Sequence, residues 1–268
     1  MSEITRRLAL SAGAVLMAGG SAMAQAIDPA MRAELAPGGR LRAAINFGNP
    51  VLAKRDSATG APGGVSVVLA RTLAERLGVP LDLVAYEAAG RVTDAARSGA
   101  WDIAFLAIDP LRANDIAFTT PYVLIEGTYM VRTESPLRSI EEVDRAGLRI
   151  SVGRGSAYDL FLTRAIRNAT LVRVASSALA ITDFAAGQSD VAAGVRQPLV
   201  EFARQNPGFR VMDGRFMAIE QAMGTPQGRP LASSYLKRFI EEMKANGLIA
   251  RVLRETGEHD AVVAPPAN

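Results

Sequence analysis

The sequence predicts an α/β protein of two lobes joined by a two-strand hinge, and three observations carry that prediction. Apolar strand-like runs alternate with amphipathic helical stretches over residues 41–107, the βαβαβ rhythm of a parallel sheet flanked by helices. The alternation restarts near residue 139 and runs to 212, so a second unit with its own separate sheet is expected. Between the units, the apolar and extended stretch Tyr122–Arg132 would carry the chain across, and a return near Arg215–Met223 would bring it back. Two such crossings make a hinge that lets lobes close over a ligand. The expected division is residues 1–24 as an export signal, 25–126 with 222–268 as lobe 1, and 127–221 as lobe 2.

Taken in order, a short helical leader at 28–36 ends at Pro37-Gly38-Gly39, and Leu41–Ile45 reads as the first strand. Val65, Val68, Leu69, Leu73 and Leu77 recur at spacings of three and four, which predicts a helix over 65–77 that Gly78 and Pro80 stop. Strand 81–85, helix 90–98 and buried strand 101–107 complete the first run. In the second unit, helices at 139–145, 156–167, 177–186 and 197–205 alternate with strands at 148–152, 171–174, 190–194 and 209–212. Helices at 230–246 and 248–256 follow, and residues 258–268, with Pro265-Pro266, read as a frayed tail.

Composition narrows the function. The 268 residues contain no Cys and a single His, His259, in a polar run near the end. Thiolate chemistry, disulfides and Cys-ligated metal are excluded, and a His-based triad or multi-His metal site has no residues to draw on. The net charge of +3 is mild and evenly spread, which does not fit nucleic acid or a membrane surface as partner. At the N-terminus, Arg6 and Arg7 precede the apolar run Leu8–Ala18, and Ala22-Met23-Ala24 supplies a small-x-small cleavage pattern. That run is too short to cross a ~30 Å hydrocarbon core comfortably. The expectation is a periplasmic protein cleaved near Ala24, exported by a general or a twin-arginine route.

Candidate chemistry sits in four places. Ala107-Ile108-Asp109-Pro110-Leu111-Arg112 follows a predicted strand, at the sheet edge where α/β proteins bind ligands. An arginine there can grip a carboxylate with two parallel hydrogen bonds, although a solvated loop arginine is the competing reading. Val152-Gly153-Arg154-Gly155-Ser156 is a glycine-rich turn opening a helix, whose free amides suit an anion. Ser156 and Asp159 also make a capping pair there. Asn46-Phe47-Gly48-Asn49-Pro50 is a polar loop after the first strand, and equally ordinary turn chemistry. Glu126, inside an apolar crossover, is costly to bury without a partner. It would pair with Arg112, hold the hinge or meet a ligand cation.

Together these segments resemble the extracellular solute-binding proteins of family 3, the polar-amino-acid binders of ABC importers, over roughly residues 40–256. The resemblance rests on Gly63–Ala70, Gly99–Ile103, Ile108–Arg112 followed by Ile116–Tyr122, Val152–Ala157 and Ala185–Asp190, in that order. It implies a type II periplasmic binding protein fold and a monomer that delivers a small molecule to a permease, with no cofactor or metal. In that family the arginine matching Arg112 grips the ligand carboxylate, helped by the positions matching Ser156 and the Ala157 backbone.

Other positions depart from the pattern. The family's ligand-stacking aromatic falls at Asn49, with Phe47 nearby. Small hydroxyl residues ahead of the arginine become Ala104, Phe105 and Ala107. The carboxylate that holds an amino group falls at Val195 or Arg196. The anion clamp is kept and the cation clamp is lost or moved to Asp109, Glu126 or Asp159, which points to an organic acid or a modified amino acid. The alternative implied by resemblance is a cyclohexadienyl dehydratase-like enzyme on the same fold, with Glu126 or Asp159 as its acid.

Overall fold

The computed structural model describes residues 27–267, so the predicted export signal lies outside the described residues. The chain begins with α1 (Pro29–Leu35), β1 (Leu41–Asn46) and a small hairpin of β2 (Lys54–Arg55) and β3 (Pro62–Gly63). Next come α2 (Val65–Leu77), β4 (Leu81–Tyr86), α3 (Ala89–Asp94), β5 (Ile103–Ala107) and the single turn α4 (Pro110–Ala113). The long β6 (Ile116–Arg132) leads to a 3₁₀ turn at Ile140–Val143, then β7 (Arg149–Gly153), α5 (Ala157–Ala165), β8 (Thr170–Val174) and α6 (Ser177–Ala185). After β9 (Val191–Val195), α7 (Arg196–Gln205) and β10 (Phe209–Val211), β11 (Met217–Pro226) returns. The chain closes with α8 (Pro230–Ala245), α9 (Leu248–Glu255) and β12 (Val262–Val263).

Local rules account for the elements. In α2, Val65, Leu69, Leu73 and Leu77 are buried on one face, each contributing about 1.5–3 kcal/mol. Gly78 ends the helix in the left-handed conformation at φ 62°. Trp101 is fully buried, and its Nε1 donates to the Val92 carbonyl at 3.1 Å, tying the approach to β5 against the end of α3. That helix stops at Asp94, short of the predicted 98, and the predicted helix at 139–145 is only the 3₁₀ turn.

Among the described residues four buried hydrophobic clusters lie on the sheet, two to a lobe, and the larger of each pair marks its lobe. One gathers Leu41, Ile45, Leu69, Leu73, Ile103, Tyr122, Phe239 and Ile249 from β1, α2, β5, β6, α8 and α9. The other gathers Tyr129, Val131, Ile150, Val152, Leu162 and Val191 around β7, α5 and β9. Within each lobe the strands run parallel where expected: β4 with β1 and β1 with β5, then β7 with β8 and β7 with β9.

Two expectations need correction. The lobes do not carry separate sheets. Hydrogen bonding runs on in the order β4-β1-β5-β11-β6-β9-β7-β8, because β6 and β11 are long enough to pair with each other and with strands of both lobes. The cores, rather than the backbone ladder, separate the lobes. The C-terminal segment is not frayed: β12 pairs with Val123 and Leu124 of β6, Ala264 N donates to the Tyr122 carbonyl at 3.1 Å, and Lys244 Nζ donates to the Pro265 carbonyl at 2.8 Å.

Candidate functional site

A cavity of about 320 Å³ lies between the lobes, at the small end of the ~300–1,000 Å³ typical of small-molecule sites. Its walls are the carboxyl ends of parallel strands on both sides. From the β1 end come Asn46, Phe47 and Asn49, and from the β5 end Ala107, then Arg112 on α4. The opposite lobe supplies Ser156, Ala157 and Tyr158 at the start of α5, Ser176 and Ser177 after β8, and Val195 and Pro198 after β9. Ile219 and Gln221 of β11 close the side nearest the hinge.

Backbone packing fixes the loop after β1. Phe47 N donates to the Tyr86 carbonyl at 2.8 Å, continuing the β1–β4 register, and Asn46 Oδ1 accepts from Gly48 N at 3.0 Å. A side chain at Gly48 would put its Cβ 2.5 Å from the Glu87 carbonyl, so only glycine fits. The Arg55 guanidinium lies 4.1 Å from the centre of the Phe47 ring, holding it from the solvent side.

Arg112 is buried to 1% exposure. Its Nη1 donates to the Ala107 carbonyl at 2.9 Å and its Nη2 to the Gly155 carbonyl of the other lobe at 2.8 Å, while Nε has no partner. Burial pulls the guanidinium down to about 10, against the nearby Asp109 carboxylate, so it is a cation at neutral pH. The resemblance made the Arg112 guanidinium, Ser156 and the Ala157 backbone joint grips on one ligand carboxylate, and the structure has that guanidinium donating to a carbonyl of the same turn. The amides of Gly155 and Ser156 are already spent, on Asp159 Oδ2 at 2.8 Å and on the Gly153 carbonyl at 3.0 Å. Ser156 Oγ caps α5 by accepting from Asp159 N at 3.0 Å. Ala157 and Tyr158, the first two residues of the helix, face the cavity as lining.

The two lobes touch closely beside this cluster. A Cβ built on Gly155, at φ 68°, would sit 2.8 Å from Gly90 Cα, and one built on Gly90 would sit 3.0 Å from the Arg154 carbonyl. The same interface holds Asp109, 4% exposed, whose Oδ1 caps α4 through Leu111 N at 2.9 Å and whose Oδ2 accepts from Arg164 Nη2 at 2.8 Å.

Seven of the residues singled out from sequence therefore line this one cavity: Asn46, Phe47, Asn49, Ala107, Arg112, Ser156 and Ala157. Asp109, Glu126 and Arg196 do not line it. Glu126 Oε2 accepts from Arg196 Nε at 2.6 Å and Oε1 from Arg215 Nη1 at 3.1 Å, and Arg196 also donates to the Gly214 carbonyl. Burial acts to raise the Glu126 carboxyl, and the two arginines outweigh it and hold it below its ordinary value. Of the three partners considered for Glu126, the structure gives it the hinge-side arginines and not Arg112. Sequence reading missed Tyr158, Ser176, Ser177, Glu87 and Gln221. The serine pair follows a strand end, so the rule that found Asn46 would have found it. Gln221 sits on a return strand with no local signal.

The model for bacterial extracellular solute-binding proteins, family 3, matches residues 41–257. No curated protein matches the chain in sequence. Among solved structures, a mutant of the ArgBP from T. maritima superposes with a TM-score of 0.74 at 19% identity, covering 85% of this chain and 100% of that one. AbpA from Streptococcus pneumoniae, an amino acid ABC transporter substrate-binding protein bound to L-arginine, gives 0.73 at 20% identity over 84% and 97%. The ancestral amino acid-binding protein AncCDT-1, a precursor of cyclohexadienyl dehydratase, gives 0.71 at 20% identity over 84% and 98%. With the matched family model spanning both lobes and the cleft between them, this chain belongs to the bacterial extracellular solute-binding proteins, family 3.

Proposed function

We propose that this chain captures a small carboxylate-bearing solute in the interlobe cleft by hinge closure and hands it to the permease of an ABC importer. It works as a periplasmic monomer cleaved near Ala24, with hinge crossings near residues 126 and 221. The carrying observation is Arg112. It is a buried cation whose hydrogen-bond partners among the described residues are two carbonyls, with none at Nε, on the wall of the interlobe cavity. Burying a charge is costly, the nearby Asp109 carboxylate offsets that only in part because it also serves Arg164, and an incoming carboxylate removes the rest. Ser156 and the start of α5 line the same cavity from the opposite lobe, in a position to share the anion. A thermal-shift screen of amino acids, organic acids and opine-like compounds tests this: a ligand at a hundredfold its Kd should add ~2.7 kcal/mol of stability. N-terminal sequencing of exported protein tests the cleavage, and a sequence beginning at Met1 would refute it.

A catalytic role of the dehydratase kind has less support. Glu126 and Asp159, the acids available to it, are each paired with arginine and neither lines the cavity. Incubation with prephenate or arogenate decides between them, since turnover favours the enzyme and saturable stabilisation without turnover favours the binder.

A further inference from the structure

We infer that the solute of this cleft carries a carboxylate and no ammonium group. The inference rests on the carboxylate reading of Arg112 above and narrows the ligand from there. The argument is one of charge balance. The cavity holds one deeply buried cation, Arg112. A simple carboxylate neutralises it, whereas a zwitterion would leave one positive charge between the lobes with no uncommitted buried carboxylate to meet it.

The acidic groups near the cleft are already committed. Asp109 serves Leu111 N and Arg164, Glu126 serves Arg196 and Arg215, and Asp159 serves Gly155 N and Arg173 at 2.9 Å. The lone carboxylate among the lining residues is Glu87. Its side chain is 76% exposed and lies 3.9 Å from Arg55, so it is a solvated group at the mouth, not a buried counter-charge. Opposite, Val195, Pro198 and Ile181 make the wall apolar. What remains polar is neutral: Ser176, Ser177, Gln221 and Asn49, whose Oδ1 is buried without a partner. A hydroxyl or a bare hydrocarbon body fits such a surface, and a hydroxyl would give Asn49 its missing donor.

The test is calorimetry on the ligand-free protein with matched sets that differ in one group. Leucine, 2-hydroxy-4-methylpentanoate, 4-methylpentanoate and 4-methylpentanamide form one set, and phenylalanine with 3-phenyllactate, 3-phenylpropanoate and its amide forms another. In at least one set an acid without nitrogen should bind about tenfold or more tighter than the amino acid, with the amide weaker still. Val195→Asp, which puts a carboxylate on the apolar wall, should move the preference toward the amino acid by about tenfold, and Val195→Asn should not. An amino acid that binds tighter than its own acid partners overturns the inference and leaves the carboxylate reading standing. If no carboxylate of the panel binds at millimolar concentration, or the amides bind as well as the acids, the carboxylate reading falls and this inference with it.

Discussion

Arg164 and Asp109 meet across the cleft: Nη2 of the arginine, on α5, lies 2.8 Å from Oδ2 of the aspartate that caps α4. Arg112, three residues beyond Asp109, reaches the same neighbouring lobe through the Gly155 carbonyl at 2.8 Å. One short segment thus bears both a contact that binds lobe to lobe and the cation that faces the cavity.

Asp109→Asn keeps the cap through Oδ1, since asparagine caps as well as aspartate, and removes the charge together with the Oδ2 acceptor of Arg164. Half of the Arg164 side chain is exposed, so solvent screens the pair and the expected cost is about 1 kcal/mol. The loss should appear as a roughly fivefold faster ligand release with little change in association. Stopped-flow kinetics with an identified ligand would read this, and an unchanged release rate would remove the pair from the closed state's stability.

Gly90→Ala should separate folding from closure. Gly90 lies in α3, where alanine is the better helix former by ~0.5–1 kcal/mol, so the ligand-free protein should melt at the same or a higher temperature. In the closed form the new Cβ would be 3.0 Å from the Arg154 carbonyl. Affinity should fall about tenfold or more, while small-angle scattering with ligand reports a more open particle. Equal affinity in wild type and variant would mean the lobes have slack at this point.

Arg112→Ala should cost about 2–5 kcal/mol of ligand binding, because the ligand anion would be buried unpaired. Arg112→Lys should recover little, since an ammonium cannot span two carbonyls and a carboxylate as the planar fork does. Folding should survive both changes although Arg112 is buried. In the alanine variant this follows from the loss of a costly buried cation along with its two carbonyl bonds. Binding within twofold of wild type would dismiss the clamp.

Affinity should be flat from about pH 6 to 9 and fall as pH rises through about 10. Burial lowers the Arg112 guanidinium to about 10 in the empty cleft, and a bound carboxylate would hold its proton more tightly. The binding contribution is therefore complete below that value and lost above it. The chain's single histidine, His259, is not among the lining residues. A tenfold fall between about pH 6 and 8 would point to a different clamp.

Elements with local causes were legible. The 65–77 helix matched to the residue because its periodicity, Gly64 and Gly78 are all near neighbours. Arg112, Ser156 and Asn46 line the cavity because they stand just past strand ends, although for Arg112 that position left a solvated loop arginine open and the resemblance favoured the cleft. The fates of Asp109, Glu126 and Arg196 were hidden, because the arginines that claim the two acids stand 55, 70 and 89 residues away. The continuous sheet was hidden for a like reason: the lobes are joined by the registers of β11 against β5 and β6 and of β6 against β9.

The docked C-terminus has a consequence for solubility. Beyond β9, the side of β6 away from β11 is covered at Val123 and Leu124 by only the two residues of β12. Removing residues 261–267 would leave that stretch with unsatisfied amides and carbonyls beside apolar side chains, an open template for another chain. A protein shortened at this end should associate by strand addition even with its ligand cleft intact, so the last residues act as a stopper against aggregation.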